Sequence, residues 1–290
     1  MPRGLRAFLT FAVLAGAVAG APAAGRPSQK AALVTVVAEG GTPIRDLTAR
    51  DFIVKEDGAR REVVDVRLAD DPLSIVFLID TTQPPLGGAP PTQDLRASAE
   101  AFVKAIHAVE PSAEIALGEF AGAAVTTVPF TSRTADLEKV IARLYPSQQG
   151  VAVMLEALAD AGKQLAARPA PRRAIVTIDF NSPEGSAERM MKGAVNSIHD
   201  AGATLWAVSV RGTATTTPNR EDVLTKVTKA NGGMRFSSVD ASGLAAMLKN
   251  VAATLTSQYI VTFARPDGSV KATTFETAGG AKVLLTPFMR

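Results

Sequence analysis

From Leu73 onward the chain alternates two kinds of apolar pattern. SIVFLID (74–80), RRAIVTID (172–179) and ATLWAVSV (203–210) are continuous apolar runs. Their length and β-branched content predict strands buried on both faces. Between them, apolar residues recur at helical spacing. In TQDLRASAEAFVKAIHAV (92–109), Leu95, Ala99, Phe102, Val103 and Ile106 form one face, and Thr92 is a candidate N-cap. TADLEKVIARL (134–144), VAVMLEALADAGKQLAA (151–167), AERMMKGAVNSIHDAG (187–202), REDVLTKVTKANGG (220–233) and DASGLAAMLKNVAATLTS (240–257) predict further helices. AEIALGEF (113–120), AAVTTVPF (123–130) and MRFSSV (234–239) predict shorter strands. Strands alternating with amphipathic helices imply a mainly parallel sheet with helices on both faces, an α/β fold.

The two ends of the chain have a different rhythm. Before the α/β region, AALVTVVAE (31–39) and the two arms of DFIVKEDGARREVVDVRL (51–68) predict three strands. The two arms turn at Asp57-Gly58, a dipeptide suited to a tight hairpin. After the region, QYIVTFAR (258–265), SVKATTFET (269–277) and AKVLLTP (281–287) predict three more. Neither group alone has enough strands to bury a stable face. The expectation is therefore one small β domain, formed from residues 31–68 and 257–290, beside an α/β domain at 72–256.

The first residues change the picture again. MPRGLR is a short basic start, AFLTFAVLAGAVAG is an apolar stretch of 14 residues, and APA (21–23) offers small residues for cleavage. This pattern predicts an export signal over residues 1–23, with an uncleaved N-terminal anchor as the alternative. The stretch is short for a membrane span, which needs roughly 20 residues. Residues 24–30 read as a flexible lead. Without Arg3 and Arg6 the 31 basic residues fall to 29 against 28 acidic ones, so the net charge gives no footprint for nucleic acid. The chain has no cysteine, which excludes disulfides, a lipidated cysteine and a thiol nucleophile. Export without disulfides suits a periplasmic or secreted bacterial protein whose core is large enough to stand alone.

Several segments together resemble von Willebrand factor A (VWA) domains, and specifically the bacterial VWFA-related, Acidobacterial-type family. DLTARDFIVKEDGARREVVDV (46–66) is similar to that family's leader, and PLSIVFLIDTT (72–82) to its first sheet strand and the loop that follows. LGEFAGAAVTTVPFTSRTADLEKVIARL (117–144) resembles its central hairpin and the next helix, and TSQYIVTF (256–263) its closing strand. The likeness runs in order from about residue 33 to 265. It implies a VWA-like, Rossmann-like fold that binds a protein partner.

The resemblance also implies a metal-ion-dependent adhesion site at the C-terminal edge of the sheet, where open α/β sheets place their ligands. Its magnesium would be held by oxygens from an Asp-x-Ser-x-Ser loop, a threonine of a later loop and an aspartate after the fourth strand. Carried over, Asp80 matches the first ligand and Thr82 keeps a hydroxyl in place of the first serine. Pro84 stands at the second serine, and the threonine position falls at Val151 or Ala152. Asp179 matches the last aspartate, though the family's Asp-Gly is here Asp179-Phe180. Asp80, Thr82 and Asp179 are thus read as the remnant of a metal site, with no cofactor expected. An incomplete site still holding magnesium is the alternative.

The remaining candidates have plain readings. Asp80 and Asp179 can equally cap turns at strand ends. His107 and His199 are read as surface residues on helices, Met190 and Met191 as packing, Trp206 as core, and Asp240 as a helix cap. No Gly-x-Ser-x-Gly, His-Glu-x-x-His, phosphate-loop or dinucleotide fingerprint is present. The expectation is an exported, non-enzymatic module that binds a protein at the envelope or outside the cell. The competing class is a hydrolase using Asp80 and Asp179 as a carboxylate pair. The loop 81–92 separates the two, as an exposed rim in the first and a lid over a pocket in the second.

Overall fold

The computed structural model describes residues 28–82, 92–147, 150–211, 217–265 and 268–289. The predicted export signal, Pro84 and most of the 81–92 loop lie outside these residues. The centre is a six-stranded sheet built from β5 (Leu73–Ile79), β6 (Glu114–Glu119), β7 (Val125–Thr131), β8 (Arg172–Asp179), β9 (Thr204–Val210) and β10 (Met234–Ser238). Its order is β10-β9-β8-β5-β6-β7, and every neighbour is parallel except the β6–β7 hairpin. All seven residues of β5 and all seven of β9 are buried, as their continuous apolar runs require.

Helices cover both faces. On one, α1 (Thr92–Val109), α2 (Thr134–Ile141) and α6 (Leu244–Leu255) pack over Ile75, Phe77 and Ile79. The α1 residues buried there include all five of the predicted face. On the other, α3 (Met154–Ala166), α4 (Met190–Asp200) and α5 (Pro218–Asn231) pack over Val76, Leu78 and Ile175. Gly162 lets α3 and α4 meet closely, since a Cβ there would lie 2.5 Å from the Ser197 carbonyl carbon. Trp206 is fully buried, and Met190 and Met191 pack against the second layer, as read.

The flanking strands form two antiparallel sheets, each joining early chain to late chain. One has the order β13-β1-β11-β4, from β1 (Ser28–Val37), β4 (Val63–Leu68), β11 (Tyr259–Arg265) and β13 (Lys282–Met289). The other is β12-β2-β3, from β2 (Phe52–Glu56), β3 (Ala59–Arg61) and β12 (Thr273–Thr277). They share a core of Val34, Val36, Phe52, Val54, Tyr259, Phe263 and Phe275. Glu56 is fully buried and fastens them together, pairing with Arg61 of its own hairpin at 3.0 Å and with Arg265 of β11.

Four details differ from the sequence reading. Among the described residues there are four early strands, because the second hairpin arm breaks at Glu62: β3 stays with β2, while β4 crosses to pair with β11. β1 begins at Ser28, so the last three residues of the expected lead pair with β11 as strand. Helix α3 begins at Met154, because Ala152 is held as extended chain by bridges to Ala121 and Glu184. His107 is half-buried and bridges the Thr134 hydroxyl at 2.7 Å and the Ala113 carbonyl at 3.0 Å, whereas His199 is exposed as expected.

Candidate binding edge of the parallel sheet

Strands β5 and β8 lie side by side at the centre of the sheet, with Ile79 opposite Ile178. The chain leaves β5 towards β6 on one side and reaches β8 on the other, so this is the point where the strand order reverses. Such a point opens a crevice at the carboxyl ends of the strands. The register brings Asp80 and Asp179 together there across 99 residues of sequence, and the Asp80 N–H bonds the Ile178 carbonyl at 2.9 Å.

Asp80 is completely buried, and its carboxylate accepts four hydrogen bonds from described residues. Oδ1 takes the Thr82 N–H at 2.9 Å and the Thr82 hydroxyl at 2.5 Å, forming a local turn. Oδ2 takes the Phe180 N–H at 3.1 Å and the Ser182 hydroxyl at 3.2 Å. The Thr82 and Ser182 hydroxyls also touch each other. Burial pushes the Asp80 carboxyl above its ordinary value, and the Thr82 and Phe180 donors oppose that shift.

Asp179 is equally enclosed but has a different partner. Its Oδ2 accepts from the Ser209 hydroxyl at 2.6 Å, and its Oδ1 accepts from the Asn181 N–H at 3.1 Å. Arg220, in the first turn of α5 and 1% exposed, places Nη1 3.6 Å from Asp179 Oδ1. The same guanidinium bonds Glu184 through Nε at 3.1 Å and the Ser182 carbonyl through Nη2. Burial raises the Asp179 carboxyl above its usual range, and the Arg220 charge works against it. The edge therefore has two halves, one satisfied by hydroxyls around Asp80 and one by an ion pair at Asp179. Ser182 joins them, with its hydroxyl on Asp80 and its carbonyl on Arg220.

Neighbouring loops seal the crevice. The Ser147 N–H bonds the Thr81 carbonyl at 2.6 Å, and Gly122 N–H bonds the Val151 carbonyl at 2.9 Å. Ala152 is fully buried, with its backbone paired to both Ala121 and Glu184. Glu119, at the end of β6, is raised above its ordinary value by partial burial, an effect opposed by a hydrogen bond from Thr81. Tyr145 and Val151 stand out from these same loops, 77% and 40% exposed. Among the described residues, no group of three or more His, Cys, Asp or Glu side chains is placed to hold a metal ion. A cavity of about 620 Å³ lies elsewhere, between α5, β10 and β13.

Of the residues singled out in the sequence, Asp80, Thr82 and Asp179 do meet at one edge. Asp240 caps the turn before α6 by accepting the Ser242 N–H at 3.0 Å. Ser182, Glu184, Ser209 and Arg220 were missed. The polar stretch NSPEGS directly after a strand ending in aspartate was the available signal for Ser182 and Glu184. Ser209 sits within an apolar strand, and Arg220 resembles any charge at a helix start.

The fold is von Willebrand factor A-like. No protein-family model matches the chain, and no curated protein sequence matches it. Solved structures do. A von Willebrand factor type A protein from Catenulispora acidiphila superposes with a TM-score of 0.54 at 13% identity, over 93% of this chain and 74% of that one. Proximal thread matrix protein 1 from the mussel byssus, with a zinc-occupied MIDAS motif, gives 0.54 at 15% identity, over 70% of this chain and 50% of its own. The PilB minor pilin from Streptococcus sanguinis gives 0.54 at 12% identity, over 65% of this chain. The match spans only 62% of that pilin's length. At such identities the likeness establishes the fold alone.

Proposed function

We propose that this chain is an exported, non-enzymatic protein-binding module of the bacterial VWFA-related type. It contacts a protein at the cell envelope or outside the cell through the C-terminal edge of its parallel sheet, and its metal-ion-dependent adhesion site is degenerate. One observation carries the reading: both edge carboxylates are sealed into bonds from their own chain, beneath loops that present Tyr145 and Val151 to solvent. Tyrosine is enriched among the residues that anchor protein contacts. An acid–base pair must reach its substrate, and Asp80 and Asp179 are 0% and 2% exposed, which disfavours the hydrolase. No described helix is long and apolar enough to cross a membrane.

A resident magnesium ion does not fit these residues. Neither Val151 nor Ala152 offers the hydroxyl that the loop threonine would supply, and a guanidinium already faces Asp179. The rival reading, an incomplete but loaded site, draws on the convergence of the Asp80, Thr82 and Ser182 oxygens. Melting curves decide between them. A native-only ligand at a hundredfold excess over Kd stabilises by about 2.7 kcal/mol, which is a rise of several degrees. The expected rise with millimolar magnesium is under about one degree. A rise of several degrees, abolished by Asp80→Asn, would restore the loaded site.

The binding face and export are tested together in cells. The full chain is expressed with a photo-crosslinking p-benzoylphenylalanine at position 145, or at Val109 on the opposite edge, where it is 57% exposed. Adducts to another protein are expected from position 145 only, in the envelope or external fraction. Equal adducts from both positions, or a chain retained in the cytoplasm, would defeat the proposal.

A further inference from the structure

We infer that Arg220 is the built-in cation of this sheet edge, its guanidinium pairing with both Asp179 and Glu184 where the resemblance implies a metal ion. The inference deepens the metal-free reading above and rests on it. A surface arginine at a helix start would need no explanation, but Arg220 is 1% exposed and the Glu184 side chain 2%. Removing a guanidinium from water is costly unless charge and geometry compensate it. Here both do: Nε bonds Glu184, Nη2 bonds the Ser182 carbonyl, and Nη1 makes no hydrogen bond among the described residues and faces Asp179. One fixed positive charge therefore spans two buried carboxylates that belong to different positions of the 179–184 segment.

The position of that charge has a consequence for Asp80. The Ser182 carbonyl held by Arg220 belongs to the residue whose hydroxyl bonds Asp80, and Phe180 N–H from the same segment bonds it too. Arg220 thus positions the loop that satisfies Asp80, although it lies 38 residues beyond Ser182 and on another element. A metal ion held by loop ligands can be removed by a chelator. A guanidinium anchored on α5 cannot, so the edge is set permanently in its present shape.

A double-mutant cycle tests this. Arg220→Met keeps the aliphatic bulk and removes the charge, leaving Asp179 and Glu184 uncompensated. A melting-temperature loss on the order of 10 °C is expected. In the Asp179→Asn, Glu184→Gln background the same substitution should cost no more than a few degrees, because the charges it served are gone. Similar losses in both backgrounds would mean that Arg220 only packs, and would overturn the inference. If Arg220→Met alone does not fold, the triple variant compared with the double variant gives the same reading: it should fold and melt close to it, and a triple variant that fails to fold overturns the inference. A magnesium response of the unsubstituted protein would sink the metal-free reading, whereas a flat magnesium response with an additive cycle would sink only the role of Arg220.

Discussion

Arg172→Ala should destabilise the fold by roughly 3–5 kcal/mol, the cost of breaking a buried ion pair from one side. Arg172 is the first residue of β8 and is 1% exposed. Its guanidinium grips Glu110 at the end of α1 with two bonds of 2.8 and 2.9 Å. It also bonds the Leu255 carbonyl at the end of α6, the Ala69 and Asp71 carbonyls before β5, and Gln258 before β11. Gln258 in turn bonds the Thr35 hydroxyl of β1 at 3.3 Å. One side chain therefore closes the amino-terminal end of the parallel sheet and ties it to the antiparallel strands. Arg172→Lys should recover little, since an ammonium cannot reproduce the planar fork. Urea unfolding of the three proteins checks this; a loss below about 1 kcal/mol for the alanine variant would refute the assignment.

The second large effect concerns the late strands. A chain ending at Arg265 lacks β12 and β13, the partners of β2 and β1. It loses Phe275, which packs edge-on against Phe263 at 5.7 Å between ring centroids, and Leu285 of the same core. β2 and β3 would remain as a two-stranded hairpin, held to the other sheet by Phe52 and Val54 and by the pair of Glu56 with Arg265, and two strands alone are marginal in water. Hydrogen exchange at residues 52–61 should then rise to nearly unprotected, while β5, β8 and β9 keep their protection. We read the early and late strands as one cooperative unit, and unchanged exchange at residues 52–61 would show that they are not.

The long apolar strands, the five-residue face of α1, the hairpin turn at Asp57-Gly58 and the capping role of Asp240 were legible in the chain. These features depend on neighbours a few residues away: a buried strand needs consecutive apolar side chains, a helix face needs its spacing, and a tight turn needs residues that tolerate positive φ, 48° at Asp57 and 83° at Gly58. The pairing of early with late strands was legible in outline, because each group was too small to bury a face alone. The break at Glu62 was not, since the pattern of that arm is the same whether it continues beside β2 or crosses to β11.

The candidate site divides along the same line. Asp80, Thr82 and Asp179 could be named from the sequence because they stand at the ends of recognisable strands and match positions of the metal-site motif that the resemblance implies. Their state could not. Arg172 and Arg220 look like ordinary exposed charges in a helix-and-strand pattern, yet both are buried. Their partners stand at separations such as 62 residues for Arg172 with Glu110 and 36 for Arg220 with Glu184. Ser182 reaches Asp80 across 102 residues. A charged side chain can leave water only where the tertiary structure assembles acceptors from several elements around it. The sequence by itself therefore determined which segments form the buried strands, the helices and the flanking β strands. The register of β5 against β8, and the approach of α5 to the loop after β8, decided that the edge carboxylates are closed and paired.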